Sequence, residues 1–182
     1  TERFTPDGPT SDLIDHDGPV VLFVGRLVGG KRPQDAVQAV SKLSEEMEIK
    51  LYVVGGGPMR SELETISDGT AEFLGHVPYD EMPAVYRSGD MLVLPSRAEG
   101  LPRTVLEAFA SGIPVVSSHL EHTAPIVQMA GETVEVGDIE GYVTALKRVL
   151  EKTEQLGEAG RQTVDEEFRW QDTVERTTTA LE

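Results

Sequence analysis

The feature that most constrains this chain is a set of short runs that stay apolar without alternating. VVLFV at Val20 to Val24, LYVV at Leu51 to Val54 and MLVL at Met91 to Leu94 place apolar side chains at consecutive positions. Successive side chains of a strand point to opposite faces, so such a run needs cover on both sides. The intervening segments supply it. Gln34 to Met47 carries Ala36, Val37, Val40, Leu43 and Met47 at a helical period. A helix of about ten residues is expected after Gly55-Gly56-Gly57-Pro58. Further helices fit Asp80 to Arg87 and Pro102 to Ser111, and shorter strands fit Ala71 to Leu74, Pro114 to Ser117 and Thr133 to Val136. Beyond these, Ile139 to Leu150, Gln155 to Phe168 and Trp170 to Leu181 read as wholly helical. The alternation predicts an α/β fold, a Rossmann-like doubly wound parallel sheet of about six strands with C-terminal helices.

With 182 residues the chain can bury one substantial core. Residues 1–18 are polar, with Pro6, Gly8, Pro9 and Gly18, and read as a linker or loosely packed lead-in; residues 19–182 form the expected domain. Charge narrows the function. Sixteen Lys plus Arg against 32 Asp plus Glu give −16, which argues against nucleic-acid or anionic-membrane binding through a broad basic surface. Any phosphate site must be local. Eleven Arg and only five Lys under an acidic coat resemble halophilic, salt-adapted cytoplasmic proteins. The absence of cysteine excludes disulfides, thiolate metal sites and cysteine nucleophiles. No signal peptide is visible near Thr1 and no apolar run approaches bilayer length, so a cytoplasmic location is expected.

Open α/β sheets bind ligands at the carboxyl ends of their strands, so the turns there carry the functional information. The first reads Gly25-Arg26-Leu27-Val28-Gly29-Gly30-Lys31-Arg32-Pro33. Three cations in seven residues exceed the roughly 0.6 that random placement would give. Two readings stand: a local anion site, or cations paired with surface carboxylates. Gly25, Gly30 and Lys31 nearly match a P-loop, but Arg32 and Pro33 follow where a Ser or Thr hydroxyl is needed for Mg²⁺. No later strand ends in the Asp that would complete such a metal site. The dinucleotide pattern G-x-G-x-x-G is absent too, which argues against an NAD enzyme.

The turn after the fourth strand runs from Pro95 through Ser96-Arg97-Ala98-Glu99-Gly100-Leu101-Pro102-Arg103-Thr104 to a helix that Gly112 can end. Free amides at that helix start can hold a phosphate, with Arg97 and Arg103 on its flanks. Glu107 falls about 8 Å further along the helix. Alone it reads as a solvated carboxylate; beside a phosphate site it is placed to accept both hydroxyls of a ribose.

FVGRL followed by Lys31, LYVVGGGP, FLGHV, and LPSRAEGLPRTVLEAFASGIPVV with its E-x7-E pair Glu99 and Glu107 occur in this order. Over Pro19 to Leu181 the chain resembles the C-terminal, donor-binding domain of a GT-B fold retaining glycosyltransferase of family 4, the glycosyl transferases group 1. The resemblance implies transfer of a sugar from a nucleoside-diphosphate sugar, with retention, no metal and no separate cofactor. It implies Gly25, Arg26 and Lys31 at the diphosphate, assisted by amides of Gly100, Leu101, Arg103 and Thr104, with Arg26, Lys31 and Glu99 serving catalysis. Glu107 would take the ribose and Glu99 the transferred sugar. His76 and Val77 would lie against the base, and Gly56 in the Gly55 to Pro58 turn would wall the pocket. The partner it implies is an N-terminal acceptor-binding domain of the same protein, through which any membrane contact would run; alone, this part should bind donor weakly and not turn over.

Departures accompany the likeness. The family's glycine after Lys31 is Arg32, which could add a phosphate contact or point outward. Its glycine-rich turn and Glu after the fifth strand are replaced by Leu120 to Val127, where Glu121 or His122 could substitute. Asp15-His16-Asp17 spells the D-x-D of another glycosyltransferase fold but precedes the first strand. His119 and His122, after the fifth strand, could face the crevice but fit ordinary loop roles better, and Phe168 and Trp170 are expected to pack the terminal helices. A non-catalytic nucleotide or sugar-phosphate binding module and a nucleotide-sugar epimerase remain as alternatives.

Overall fold

The computed structural model describes residues 3–100 and 102–168. Six parallel strands, β1 (Val20–Val24), β2 (Lys50–Val54), β3 (Ala71–Gly75), β4 (Met91–Leu94), β5 (Val115–Ser118) and β6 (Gly131–Val134), form one sheet in the order β3-β2-β1-β4-β5-β6. The connections are α1 (Pro33–Ser44), α2 (Arg60–Ser67), α3 (Met82–Arg87), α4 (Arg103–Ala110) and the short α5 (Ala124–Val127); α6 (Ile139–Leu150) and α7 (Thr153–Glu167) follow β6. This is the expected Rossmann-like sheet.

Each apolar strand feeds two cores by alternation. Val21 and Phe23 of β1, Leu51 and Val53 of β2, and Met91 and Val93 of β4 face one cluster with Ala36, Val37, Val40 and Leu43 of α1 and Tyr142 and Leu146 of α6. Their neighbours Val20, Leu22, Tyr52, Val54, Leu92 and Leu94 face the other, with Val85 of α3, Val105 and Phe109 of α4 and Val164 of α7. Leu22 and Phe23 are both fully buried, and truncating either to Ala would cost roughly 3 kcal/mol or more. Among the described residues no helix is long and apolar enough to cross a membrane.

Three expectations need correction. The lead-in is tied to the domain at its first residues, while residues 5–18 stay exposed or half-buried. Phe4 is 2% exposed in the second core, its backbone carbonyl accepts from Arg161, and Arg87 donates to the carbonyls of Thr5 and Pro9. The sixth strand starts two residues earlier than Thr133, because β6 lies so close to β5 that a Cβ on Gly131 would run into the Val115 carbonyl. Val136, which drew the sequence reading onward, is left 40% exposed. The four-residue α5 is too short to show a period. Trp170 and the helix expected over Trp170 to Leu181 lie outside the described residues.

Candidate functional site

The strand order reverses between β1 and β4, which makes the crevice at their carboxyl ends the topological switch point. Their turns interlock there. The Arg97 amide donates to the Gly30 carbonyl at 2.9 Å, and Lys31 Nζ lies 2.5 Å from Glu99 Oε1. The β2 turn joins from the other side: Gly25 N–H donates to Val54 and Leu27 N–H to Gly56, both at 2.9 Å, and Gly55 N–H donates to Gly75 at 2.6 Å. Gly55 has φ of 123°, and a Cβ there would run into the Gly25 carbonyl. Only glycine lets these turns close on one another.

The three cations of the first turn meet three fates. Lys31 pairs with Glu99, and both side chains are largely covered, 27% and 10% exposed. Arg32, with left-handed φ of 49°, folds back onto Asp35 with two hydrogen bonds of 2.5 and 2.9 Å, and lies against Gly137. It neither points outward nor waits for a ligand: it neutralises a carboxylate that is 2% exposed. Arg26 is exposed and, among the described residues, its guanidinium has no hydrogen-bonding or carboxylate partner, and the same holds for the guanidinium of Arg97 on the β4 turn. Elsewhere Lys42, Lys50, Arg60, Lys147, Arg148 and Arg161 all reach carboxylates, as expected in so acidic a chain. The reading of cations paired with carboxylates thus holds for Lys31 and Arg32, and the anion-site reading stays open for Arg26.

The second wall is built differently. Helix α4 begins at Arg103 with Pro102 as its extended N-cap, so the first-turn amides of Arg103 and Thr104 have no partner within the helix. Glu107, one turn on, is not a solvated carboxylate. Its side chain is only 14% exposed; Tyr86 Oη donates to Oε2 at 3.1 Å and Tyr79 Oη to Oε1 at 3.2 Å. Arg103 donates to Tyr79 Oη at 3.0 Å and stands 3.5 Å from Glu107. Burial pushes the Glu107 carboxyl pKa up from its ordinary value, against the pull of Tyr86, Tyr79 and Arg103. Burial, and then the charge of Glu107, raise the Tyr86 phenol well above its ordinary value, so it remains a proton donor.

Sequence reasoning missed both tyrosines. They stand 21 and 28 positions from Glu107, so no local spacing joins them to it; the only signal was two tyrosines bracketing the helix expected before β4. Of the other candidates, Gly56, His76 and Gly100 are exposed at the strand ends, whereas Val77 is 6% exposed and belongs to the second core, which leaves its backbone for a ligand. Leu101 lies outside the described residues. His119 is tied to Thr133 of β6 at 2.9 Å, and Glu121 and His122 are exposed after β5. Asp15 and Asp17 precede β1 and so stand at the amino end of the sheet, away from the crevice; the Asp15 carbonyl accepts from Tyr52. Among the described residues no three His, Asp or Glu side chains converge to hold a metal.

With this geometry in view, the matches to known proteins fall into place. The family model described as glycosyl transferases group 1 matches residues 18–152. The chain belongs to that family. A sulfoquinovosyl transferase of Arabidopsis thaliana is 34% identical over 161 residues, covering 84% of this chain and 31% of the relative. A GDP-mannose-dependent phosphatidylinositol monomannoside mannosyltransferase of Mycolicibacterium smegmatis is 30% identical over 194 residues, 93% of this chain and 50% of the relative. The chain thus spans between about a third and a half of these relatives. Among solved structures, sucrose-phosphate synthase of Thermosynechococcus elongatus superposes with TM-score 0.82 at 23% identity, covering all of this chain and 51% of that one. The C-terminal domain of a glycosyl transferase group 1 protein of Francisella tularensis superposes with TM-score 0.76 at 21% identity, covering 84% of this chain and 87% of that domain. As a group 1 glycosyltransferase domain, the chain has the Rossmann-like architecture of the GT-B fold.

Proposed function

We propose that this domain binds the nucleoside-diphosphate sugar of a retaining glycosyltransferase and supports departure of the nucleoside diphosphate without a metal. The observation that carries the reading is the crevice between β1 and β4, where Lys31 and Glu99 meet and the turns also carry Arg26 and Arg97, exposed and without a side-chain partner among the described residues, in a chain of net charge −16. In the reaction the bond from the anomeric carbon to the β-phosphate oxygen breaks, and its electron pair stays with the phosphate. Arg26, Lys31 and the first amides of α4 meet that growing charge with fixed dipoles and cations. Lys31 exchanges the carboxylate of Glu99 for phosphate, which frees Glu99 for the hydroxyls of the transferred sugar. Glu107 accepts from the ribose, and the acceptor hydroxyl oxygen bonds to the anomeric carbon on the face the diphosphate leaves, its proton passing to the departing phosphate oxygen, which gives retention. An N-terminal half of the same protein supplies that acceptor, and the reaction is placed in the cytoplasm.

Calorimetry of the chain with UDP, GDP and ADP tests the reading. One nucleotide should bind, and Arg26→Ala and Lys31→Ala should each weaken it by about tenfold or more. Failure of all three to bind, in this chain and in a longer protein that contains it, would end the donor reading. Binding without sugar transfer in that longer protein would instead favour a nucleotide-binding module.

A further inference from the structure

The two tyrosines on Glu107 lie outside the four segments that carry the resemblance, and they invite a question about its ribose contact. A vicinal diol needs two acceptors at a fixed spacing and angle, which one carboxylate supplies only if its rotation is arrested. A glutamate on a helix surface is free to rotate about its side-chain bonds. Here the two oxygens are pinned separately, Oε2 by Tyr86 and Oε1 by Tyr79. Each carboxylate oxygen has about two acceptor sites, so one remains on each after the tyrosines donate.

The pins themselves are held. Tyr86 is fully buried on α3, with the edge of the Phe4 ring at 5.7 Å, and Tyr79 is contacted by Phe4 at 5.6 Å and by the Arg103 guanidinium over its face at 5.5 Å. A phenol donates without a formal positive charge, so it arrests the carboxylate and leaves it anionic. A lysine in the same place would arrest it and compete with the ligand for its charge. The groups facing Glu107 are Tyr86 from α3, Tyr79 from the loop before it, and Arg103 from its own helix.

Building on the donor reading above, we propose that Tyr86, with Tyr79 as the weaker second arm, is a positioning residue that holds Glu107 so that its free acceptor sites receive the two ribose hydroxyls of the nucleotide. The competing role is structural: Glu107 would merely satisfy the buried Tyr86 hydroxyl. The two differ in what they do to ribose selectivity.

The test takes whichever of UDP, GDP and ADP the chain binds best, with its 2′-deoxy and 3′-deoxy forms, and titrates the unsubstituted chain, Tyr86→Phe and Tyr79→Phe by NMR, with denaturant unfolding of each. The unsubstituted chain should prefer the ribonucleotide to each deoxy form by about tenfold. In Tyr86→Phe that preference should shrink to about twofold while affinity for the deoxy forms is kept, and Tyr79→Phe should lose a smaller part of it. An unchanged ratio in Tyr86→Phe, whatever happens to its stability, would overturn the proposal; should that variant not fold, an unchanged ratio in the exposed-site Tyr79→Phe would do so. Equal binding of ribo and deoxy forms by the unsubstituted chain sinks the positioning role and leaves the donor reading standing. No nucleotide binding, either by this chain or by a longer protein that contains it, sinks the donor reading and this inference with it.

Discussion

The two glutamates that open and close the segment from 99 to 107 are both mostly covered, yet one is hydrogen-bonded by an ammonium and the other by neutral hydroxyls, with the exposed Arg103 guanidinium farther off at 3.5 Å. Glu99 meets the ammonium of Lys31, so the pair is self-satisfied, and on the donor reading it trades partners when a more anionic group arrives. Glu107 meets two phenols, which compete with nothing anionic and have no reason to leave. The difference teaches that one wall of the crevice is exchangeable and the other fixed. A site that must grip a changing charge at the phosphate end and a constant diol at the other would use both.

The largest blow to this contrast falls on the backbone that joins the walls. Gly55→Ala should cost roughly 3 kcal/mol or more in denaturant unfolding and abolish nucleotide binding, since its Cβ runs into the Gly25 carbonyl at a φ that alanine resists. Next, Lys31→Ala strikes the exchangeable wall alone. It leaves Glu99 charged beside the phosphates and without its partner, so it should lower nucleotide affinity by about 2 kcal/mol and also lower the unfolding midpoint, whereas Arg26→Ala, which orphans no carboxylate among the described residues, should cost about 1.4 kcal/mol of affinity and leave unfolding unchanged. The smallest effect sharpens the fixed wall. Because the folded Glu107 pKa is raised above its unfolded value, the stability linked to its proton is complete below the unfolded pKa of 4.5 and is lost as pH rises through the folded one. Glu107→Gln should therefore unfold at slightly higher denaturant than the parent at pH 7, with the gap closing below pH 4.5, while it binds nucleotide more weakly.

Strands were legible where two-sided burial forbids alternation, and α6 runs from Ile139 to Leu150 as its period indicates, because apolar periodicity is a local property of sequence. The charged wall was legible for a related reason: a cluster of cations in one turn of an acidic chain stands out without knowledge of its neighbours. What stayed hidden depended on distant partners. Phe4 is a single aromatic in a polar stretch, and nothing near it announces that it will pack against Tyr79 and Tyr86. The role of Arg32 was undecidable from the turn alone, since its partner Asp35 had to be brought back by the first turn of α1. Glu107 looked solvated on the helix pattern because its cover comes from another element.

On the donor reading, the guanidinium groups of Arg26 and Arg97, which have no carboxylate partner among the described residues, set arrival against retention in an otherwise repellent particle. A dianion wandering in from bulk is pushed away by the body and drawn in only within about a screening length of the mouth, about 10 Å at 0.1 M salt. Extra electrolyte therefore speeds capture while it shortens residence, so occupancy in concentrated salt is governed by how slowly the bound molecule leaves.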